Sequence, residues 1–359
     1  DLLQPAAAQH HFIAQVQYLL RLRRYGASLP PFDLLQHNYT MTTDPPSPHV
    51  VLLAGGVGGA RLADGLARAL PPDHLTVVVN TGDDFRHLGL TICPDLDTVT
   101  YMLAGVNNDE TGWGRVGESW RALDEAARLG GPDWFRLGDL DLATHLARSH
   151  WLAEGETLTA VTRRLWAGFG AGFGAGPVVL PMSDAPAPTL IETDTGDVLP
   201  FQIWFVRERW QPAVRRVVLP EDARATAAVI RALEAADVVI IAPSNPFVSI
   251  DPILNAYPIR ALIEDVPQAV VAVSPIIAGQ ALKGPAAKMM AELGLAASAA
   301  AVAGYYGHLI DGFVYDQQDA GMTAEDGLAL LCTDTIMRGA TGRERLAREV
   351  LAFAGEMLD

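Results

Sequence analysis

From residue 49 the chain alternates short apolar runs with segments of helical periodicity. Val50 to Ala54 is continuously apolar, as a strand covered on both faces must be. A glycine-rich turn follows, then a helical pattern from about Ala60 to Leu70 and a second apolar strand from Thr76 to Asn80. This strand–turn–helix–strand unit predicts an α/β fold: a Rossmann-like, mostly parallel sheet with helices on both faces. From about residue 101 the strand signals stop. Helical patterns cover Trp120 to Leu129, Asp141 to Glu154 and Thr157 to Phe169, before a glycine-rich break at 168–176. A helical insertion at about 105–176 is therefore expected. Strands resume at Pro177 to Leu180, with an antiparallel pair near Thr189 to Thr193 and Leu199 to Val206. The α/β rhythm returns with strands at 237–242 and 269–274 and a helix around Lys283 to Leu293. No repeat or linker interrupts the pattern, so 49–359 is expected to be one domain.

Residues 1–48 fit this scheme poorly. Gln9 to Arg24 has apolar residues at helical spacing and ends in Arg21, Arg23 and Arg24, which would suit a targeting or surface-binding helix. The plainer expectation is an extension ahead of a translation start at Met41, where MTTDPPSP leads into the first strand.

Composition narrows the partners. With 50% hydrophobic and 19% charged residues the chain can build a large core. No apolar run approaches the roughly 18 residues of a membrane helix. The net charge of -16 makes nucleic acid an improbable partner, because such a surface repels a phosphate backbone. Two distant cysteines, Cys93 and Cys332, carry no metal spacing and fit a reducing, cytoplasmic compartment.

The candidate chemistry lies where strands end. Gly55, Gly56, Gly58 and Gly59 follow the first strand and open a helix, a place where backbone N–H groups can hold a phosphate. Position 61 is Arg61 rather than the third glycine of a dinucleotide fingerprint, and no Gly-Lys-Ser/Thr follows for a P-loop. Gly58→Val is expected to remove phosphate binding and leave the fold intact. After the second strand comes Asn80-Thr81-Gly82-Asp83-Asp84, and then Pro94-Asp95-Leu96-Asp97. Four carboxylates beside a phosphate site repel one another unless a hard cation such as Mg²⁺ joins them, with Asp83, Asp84 and Asp95 as candidate ligands. Asp95 could alternatively cap the following helix. Arg136 stands among Trp134 and Phe135, suited to meet a ring or an anion. His145 lies on a predicted helix. Ser183-Asp184 and Ser244-Asn245, followed by Ser249, are polar turns at strand ends, suited to a ligand.

These strings together resemble the 2-phospho-L-lactate transferase family of coenzyme F420 biosynthesis. The likeness rests on AGGVGGARL (54–62), VNTGDDF (79–85), CPDLDTVTYMLAG (93–105), GWGRVGESW (112–120), FRLGDLDLATHL (135–146), LPMSDAP (180–186), APSNPFVSIDPIL (242–254) and VSPIIAGQALKGPAAKMM (273–290). The resemblance implies Mg²⁺-dependent transfer of a phosphorylated three-carbon acid from a guanosine diphosphate-linked donor to the ribityl hydroxyl of the deazaflavin Fo, releasing GMP. By position it implies that Asp97 and Arg136 meet Fo, with His145 nearby. Asp97 is also expected to orient or deprotonate the alcohol, and the glycine turn is expected to meet the nucleotide together with Ser183, Asp184, Ser244, Asn245 and Ser249. Phospholactate, phosphoenolpyruvate and phosphoglycerate all fit as the acid, and a homodimer stays open. The chain departs from the pattern at Leu140, where a basic residue is usual, and at Ala185, Cys93 and Val57. Two rival readings are weaker. The glycine spacing and the lack of an acid ending the second strand oppose a nicotinamide-dependent oxidoreductase. The downstream motifs, FRLGDLDLATHL above all, oppose a non-catalytic nucleotide-sugar-binding regulator of the gluconeogenesis factor type.

Overall fold

The computed structural model describes residues 47–170, 176–265, 268–323 and 327–358. The extension expected over 1–48, with its helical pattern at Gln9 to Arg24, lies outside them up to residue 46, as does most of the glycine-rich break.

Seven strands form the main sheet: β1 (Val50–Ala54), β2 (Leu75–Val79), β3 (Val178–Pro181), β4 (Val238–Ile241), β5 (Ala269–Val273), β6 (Gly312–Asp316) and β7 (Ala329–Thr333). Their order is β7-β6-β5-β4-β1-β2-β3, and every pair is parallel. The order reverses between β1 and β4, so both strands end at the topological switch point, where open α/β sheets bind ligands.

The period of two along each strand divides the core. Val50, Leu52 and Ala54 face one layer with Val77, Val79, Val238 and Ile240. Val51 and Leu53 face the other with Val78, Val239 and Ile241. The first layer is closed by α1 (Gly56–Ala69), α2 (Pro94–Leu103) and a long C-terminal helix, Gly339–Gly355. The second is closed by helices Ala227–Glu234, Ile259–Asp265, Ala286–Glu292 and Ala299–Tyr306. Continuous apolar runs and coverage on both faces are thus the same fact.

Between α2 and β3 come α3 (Arg121–Arg128), α4 (Asp139–Ala153) and α5 (Leu158–Gly168), the expected insertion. The GWGRVGESW string explains its shape. Glu118 accepts from the N–H groups of Leu140 and Asp141, each at 2.8 Å, and so closes the amino end of α4. A Cβ on Gly138 would fall on the Glu118 carboxyl, so a side chain there would displace that cap.

Two expectations are corrected. The first helix begins at Gly56 rather than Ala60, so most of the glycine turn is itself the helix's first turn. The strand expected over 199–206 ends at Pro200, and Ile203–Arg207 winds into a π-helical turn. The turn buries Trp204 completely, and its indole N–H donates to the Pro212 carbonyl at 2.9 Å. The small antiparallel sheet is completed instead by Val214–Val218.

Candidate active site

One cavity of about 670 Å³ opens at the switch point, walled by the ends of the sheet strands and by the insertion. Gly55 has extended backbone and no room for a side chain, since a Cβ would lie 2.6 Å from Ser249 Cβ and 2.7 Å from an Asp95 oxygen. Gly56 adopts φ +61°, a left-handed conformation that glycine takes without strain. Gly58 presses α1 onto the chain leaving β4: a Cβ there would collide with the Pro243 carbonyl oxygen. Gly59 packs on Ala54 and Ser244 and is absent from the cavity wall. The Ser244 hydroxyl donates to the Gly55 carbonyl at 2.6 Å and faces the Gly55 N–H at 3.3 Å. Thus the β4 loop fixes the shape of the β1 turn. Asn245 is used locally, accepting from the Phe247 N–H at 3.0 Å and holding the Asn-Pro turn. Ser244, Asn245 and Ser249 all reach the wall.

Asp83 and Asp95 stand on the same wall. The Asn80 amide bridges them, donating to Asp95 at 3.0 Å and to Asp83 at 3.4 Å, and Gln202 donates to the second Asp83 oxygen at 2.9 Å. Burial, with Asp95 and Asp84 close by, pushes Asp83 well above the usual carboxylate range. Burial also lifts Asp95 to about 6, despite hydrogen bonds from Asn80 and the Gly56 N–H. Two carboxylates held together at such cost suit a hard cation, and both face open space. Asp84 does not join them. It is absent from the wall, and burial raises it while the Cys93 thiol donates to it.

The insertion supplies the other wall. Trp134, Phe135 and Arg136 line it, and Phe85 and His87 pack behind, with ring centroids 4.8 Å apart for Phe85–Phe135 and 5.1 Å for His87–Trp134. The Arg136 guanidinium lies 5.3 Å over the Trp120 ring and 3.6 Å from Asp124.

Beneath lies a buried polar chain. Asp97, Tyr101, Asp141 and His145 touch the cavity, and Arg148 sits behind them. Both oxygens of Asp97 accept from Arg148, one at 3.0 Å. The same guanidinium meets His145 Nδ1 at 3.0 Å. Arginine can only donate, so Nδ1 accepts and the ring proton sits on Nε2, facing Asp141 at 3.4 Å. Tyr101 donates to Asp141 at 2.7 Å. Burial alone would raise Asp141, yet the bonds from His145 and Tyr101 hold it below the usual range. Asp97, Asp141 and His145 offer three ligand atoms within 4.8 Å of one another. Arg148 already supplies positive charge to this cluster, although its Nε and the His145 Nε2 are buried without a well-aligned hydrogen-bond partner.

Ser183 and Asp184 fall outside the cavity. Ser183 is buried and accepts from the Ala185 N–H, while Asp184 accepts from the Thr159 N–H at 2.7 Å, at the start of α5. That strand end anchors the insertion. Two further wall residues have no role in the sequence motifs: Arg61 stands there only as a missing glycine, and Lys283 lies in a matched string without a function of its own. A signal existed for each: a cation within a turn of the glycine loop, and the lysine of a Leu-Lys-Gly turn after a strand.

Comparison with known proteins gives the chain's relatives. The family model described as 2-phospho-L-lactate transferase CofD matches residues 50–334. A phosphoenolpyruvate transferase of Streptomyces griseus is 40% identical over 318 residues, covering 86% of this chain and 99% of that protein. A 2-phospho-L-lactate transferase of Methanospirillum hungatei is 39% identical over 304 residues, covering 84% and 99%. A solved structure of a UPF0052 family member from Bacillus halodurans superposes with a TM-score of 0.56 at 14% identity, covering 86% of this chain and all of the other, a likeness of fold alone.

Proposed function

We propose a specific reaction for this chain, which belongs to the 2-phospho-L-lactate transferase CofD family of coenzyme F420 biosynthesis. The chain is a transferase, and its reaction is attack by the ribityl hydroxyl of the deazaflavin Fo on a guanosine diphosphate-linked three-carbon acid, with GMP leaving. Residues 49–359 act as one unit in this reading, and 1–48 stand outside it. One observation carries it: a single cavity joins a backbone turn suited to phosphate, a pair of acids suited to a cation, and an aromatic wall suited to a flat ring.

Gly55, Gly56 and Gly58 shape the turn at which α1 begins, and the N–H groups there stabilise charge on the leaving phosphate. Asp83 and Asp95 would hold Mg²⁺, which when bound supplies positive charge to the diphosphate. Asp84 has no part in that set. Trp134, Phe135 and Arg136 take the deazaflavin ring by stacking and by donation to its carbonyl oxygens. Asp97 orients the hydroxyl. Because Arg148 occupies both of its oxygens, Asp97 acts as a fixed acceptor in a set direction more than as a free base. His145 touches the same space through its held ring. Positioning and charge neutralisation carry most of such a transfer.

Relatives named for phosphoenolpyruvate and for 2-phospho-L-lactate match about equally well, so the acid is decided by experiment. The purified protein is offered Fo with each donor and the products are weighed by mass spectrometry. A mass gain matching one acid identifies it; no adduct with any donor overturns the reaction.

A further inference from the structure

Arg61 and Lys283 line the cavity, and neither has a carboxylate partner among the described residues. Arg61 lies on α1, within a turn of Gly58. Its Nε is buried without a partner, and no carboxylate pairs with it among the described residues. Lys283 follows the short hairpin formed by Ile276–Ile277 and Gln280–Ala281. Its ammonium donates to the Thr111 carbonyl at 3.2 Å, reaching from the sheet side to the insertion, and it too lacks a carboxylate among the described residues. Burial lowers Lys283 from its ordinary value, and the charge of Arg61 lowers it further, so the two cations feel each other.

This departs from how the chain treats its other inward cations. Arg343 pairs with Asp64 at 2.6 Å, Arg148 with Asp97, and Lys288 with Glu292 at 2.6 Å. In a protein of net charge -16 acidic partners are plentiful. Arg61 is half-buried and Lys283 more exposed, so an anion between them would give the buried Arg61 Nε a partner and be attracted by both charges.

We propose that Arg61 and Lys283 form an anion subsite for the acidic, non-nucleoside half of the donor: its second phosphate and the carboxylate of its three-carbon acid. Val57, Ile277, Leu282, Pro285 and Met337 line the neighbouring wall and give a short carbon chain an apolar surface. The glycine turn holds the phosphate that departs with guanosine, and the cation pair holds what is transferred. Specificity for an acid-bearing donor follows, since a neutral group in the same place would leave the two cations unpaired. The donor's identity rests on the function proposed above; the anion subsite itself rests only on the two side chains.

Calorimetry on the full chain separates the two claims, with GMP, GDP, inorganic pyrophosphate and the guanosine diphosphate-linked acid as probes. Lys283→Met and Arg61→Met should each weaken pyrophosphate and the acid-linked donor by about tenfold or more, the loss of one charge-assisted contact. Affinity for GMP should stay within about twofold, as no charge facing its phosphate is removed. Arg61→Lys keeps the charge, should bind between the two, and tests the idea even where Arg61→Met folds poorly. A loss that includes GDP assigns the pair to the second phosphate, whereas a loss confined to the acid-linked donor assigns it to the carboxylate. Unchanged binding of pyrophosphate and of the acid-linked donor in Lys283→Met, or in a folded Arg61→Met, overturns the subsite. A wild-type protein that binds pyrophosphate through this pair but no guanosine compound keeps the subsite and overturns the guanosine donor.

Discussion

Arg148 grips both carboxylate oxygens of Asp97 and at the same time donates to Nδ1 of His145, joining α2 and α4 beneath the cavity. All three side chains are buried, so the pairing is shielded from solvent and salt. Removing one partner leaves an uncompensated charge. Arg148→Met should therefore cost about 3–5 kcal/mol, and adding Asp97→Asn should restore part of that loss. Chemical denaturation of the single and double mutants measures the coupling; strictly additive losses would show that the two side chains act independently. Arg148→Lys keeps the charge but loses the fork. It should lower kcat while leaving GDP affinity unchanged, which separates positioning from stability.

The glycine turn carries two distinct demands. Gly58 leaves no room for a Cβ against Pro243, so even Gly58→Ala should unseat α1 from β4 and destabilise the fold by about 1–3 kcal/mol. This corrects the expectation that Gly58→Val would spare the fold. Gly56→Ala meets open space, with an Asp95 oxygen 3.6 Å away, but must hold φ +61° at about 1–2 kcal/mol. Melting temperatures and GDP titrations of both variants check this; a Gly58→Ala variant as stable as wild type would contradict the packing argument.

Metal dependence should divide the acids. Chelation should abolish transfer, and Asp83→Asn or Asp95→Asn should raise the Mg²⁺ concentration for half activity several-fold. Asp84→Asn should leave it unchanged, because that carboxyl lies behind the wall against Cys93. Activity measured against Mg²⁺ concentration for the three variants decides it. Full turnover in excess chelator would make all three acids structural.

Arg136→Ala should weaken Fo by about 1–3 kcal/mol, roughly ten- to a hundredfold, and leave GDP near wild type. Fo fluorescence titration reads the first and calorimetry the second. If GDP binding falls and Fo binding persists, the aromatic wall belongs to the nucleotide.

Asp316 offers a pH test of stability, holding Thr335 at the edge of the cavity. At the end of β6 it accepts from the N–H of Gln318 at 2.9 Å, and from the N–H and hydroxyl of Thr335 at 2.8 and 3.0 Å. Burial alone would raise it, yet these donors hold it below the usual carboxylate range. A lowered folded-state value means stabilisation that is complete above the unfolded value of about 4 and is lost as pH falls through the folded one. Asp316→Asn should therefore cost about 1–3 kcal/mol near neutrality and progressively less in acid. Denaturation midpoints from pH 7 to pH 3 follow the difference; a constant gap would exclude the ionised carboxylate as its source.

Much of this molecule follows from local sequence. The apolar runs at 50–54, 238–241 and 269–273 determine buried parallel strands, because only a strand covered on both faces buries every residue. The strand-glycine-helix order places the turn at the carboxyl edge of the sheet, and three helical stretches in a row mark the insertion. These are short-range consequences of side-chain period and backbone freedom. Which polar side chain faces the cavity is a different matter. Asp83 and Asp84 are adjacent in sequence, yet only Asp83 reaches the wall: the chain turns at Thr81–Asp84, where the Asp84 N–H donates to the Thr81 carbonyl at 3.3 Å, and the turn sends the two carboxylates to different surroundings. Ser183 and Asp184 sit at a strand end like Ser244 and Asn245, but β3 is the sheet's edge strand while β4 borders the switch point. Asp97 and Arg148 are 51 positions apart and meet only because α2 and α4 pack together. The same holds for Arg61 and Lys283. Their pairing depends on strand order and loop closure, and no local pattern encodes which distant charges will share one cavity.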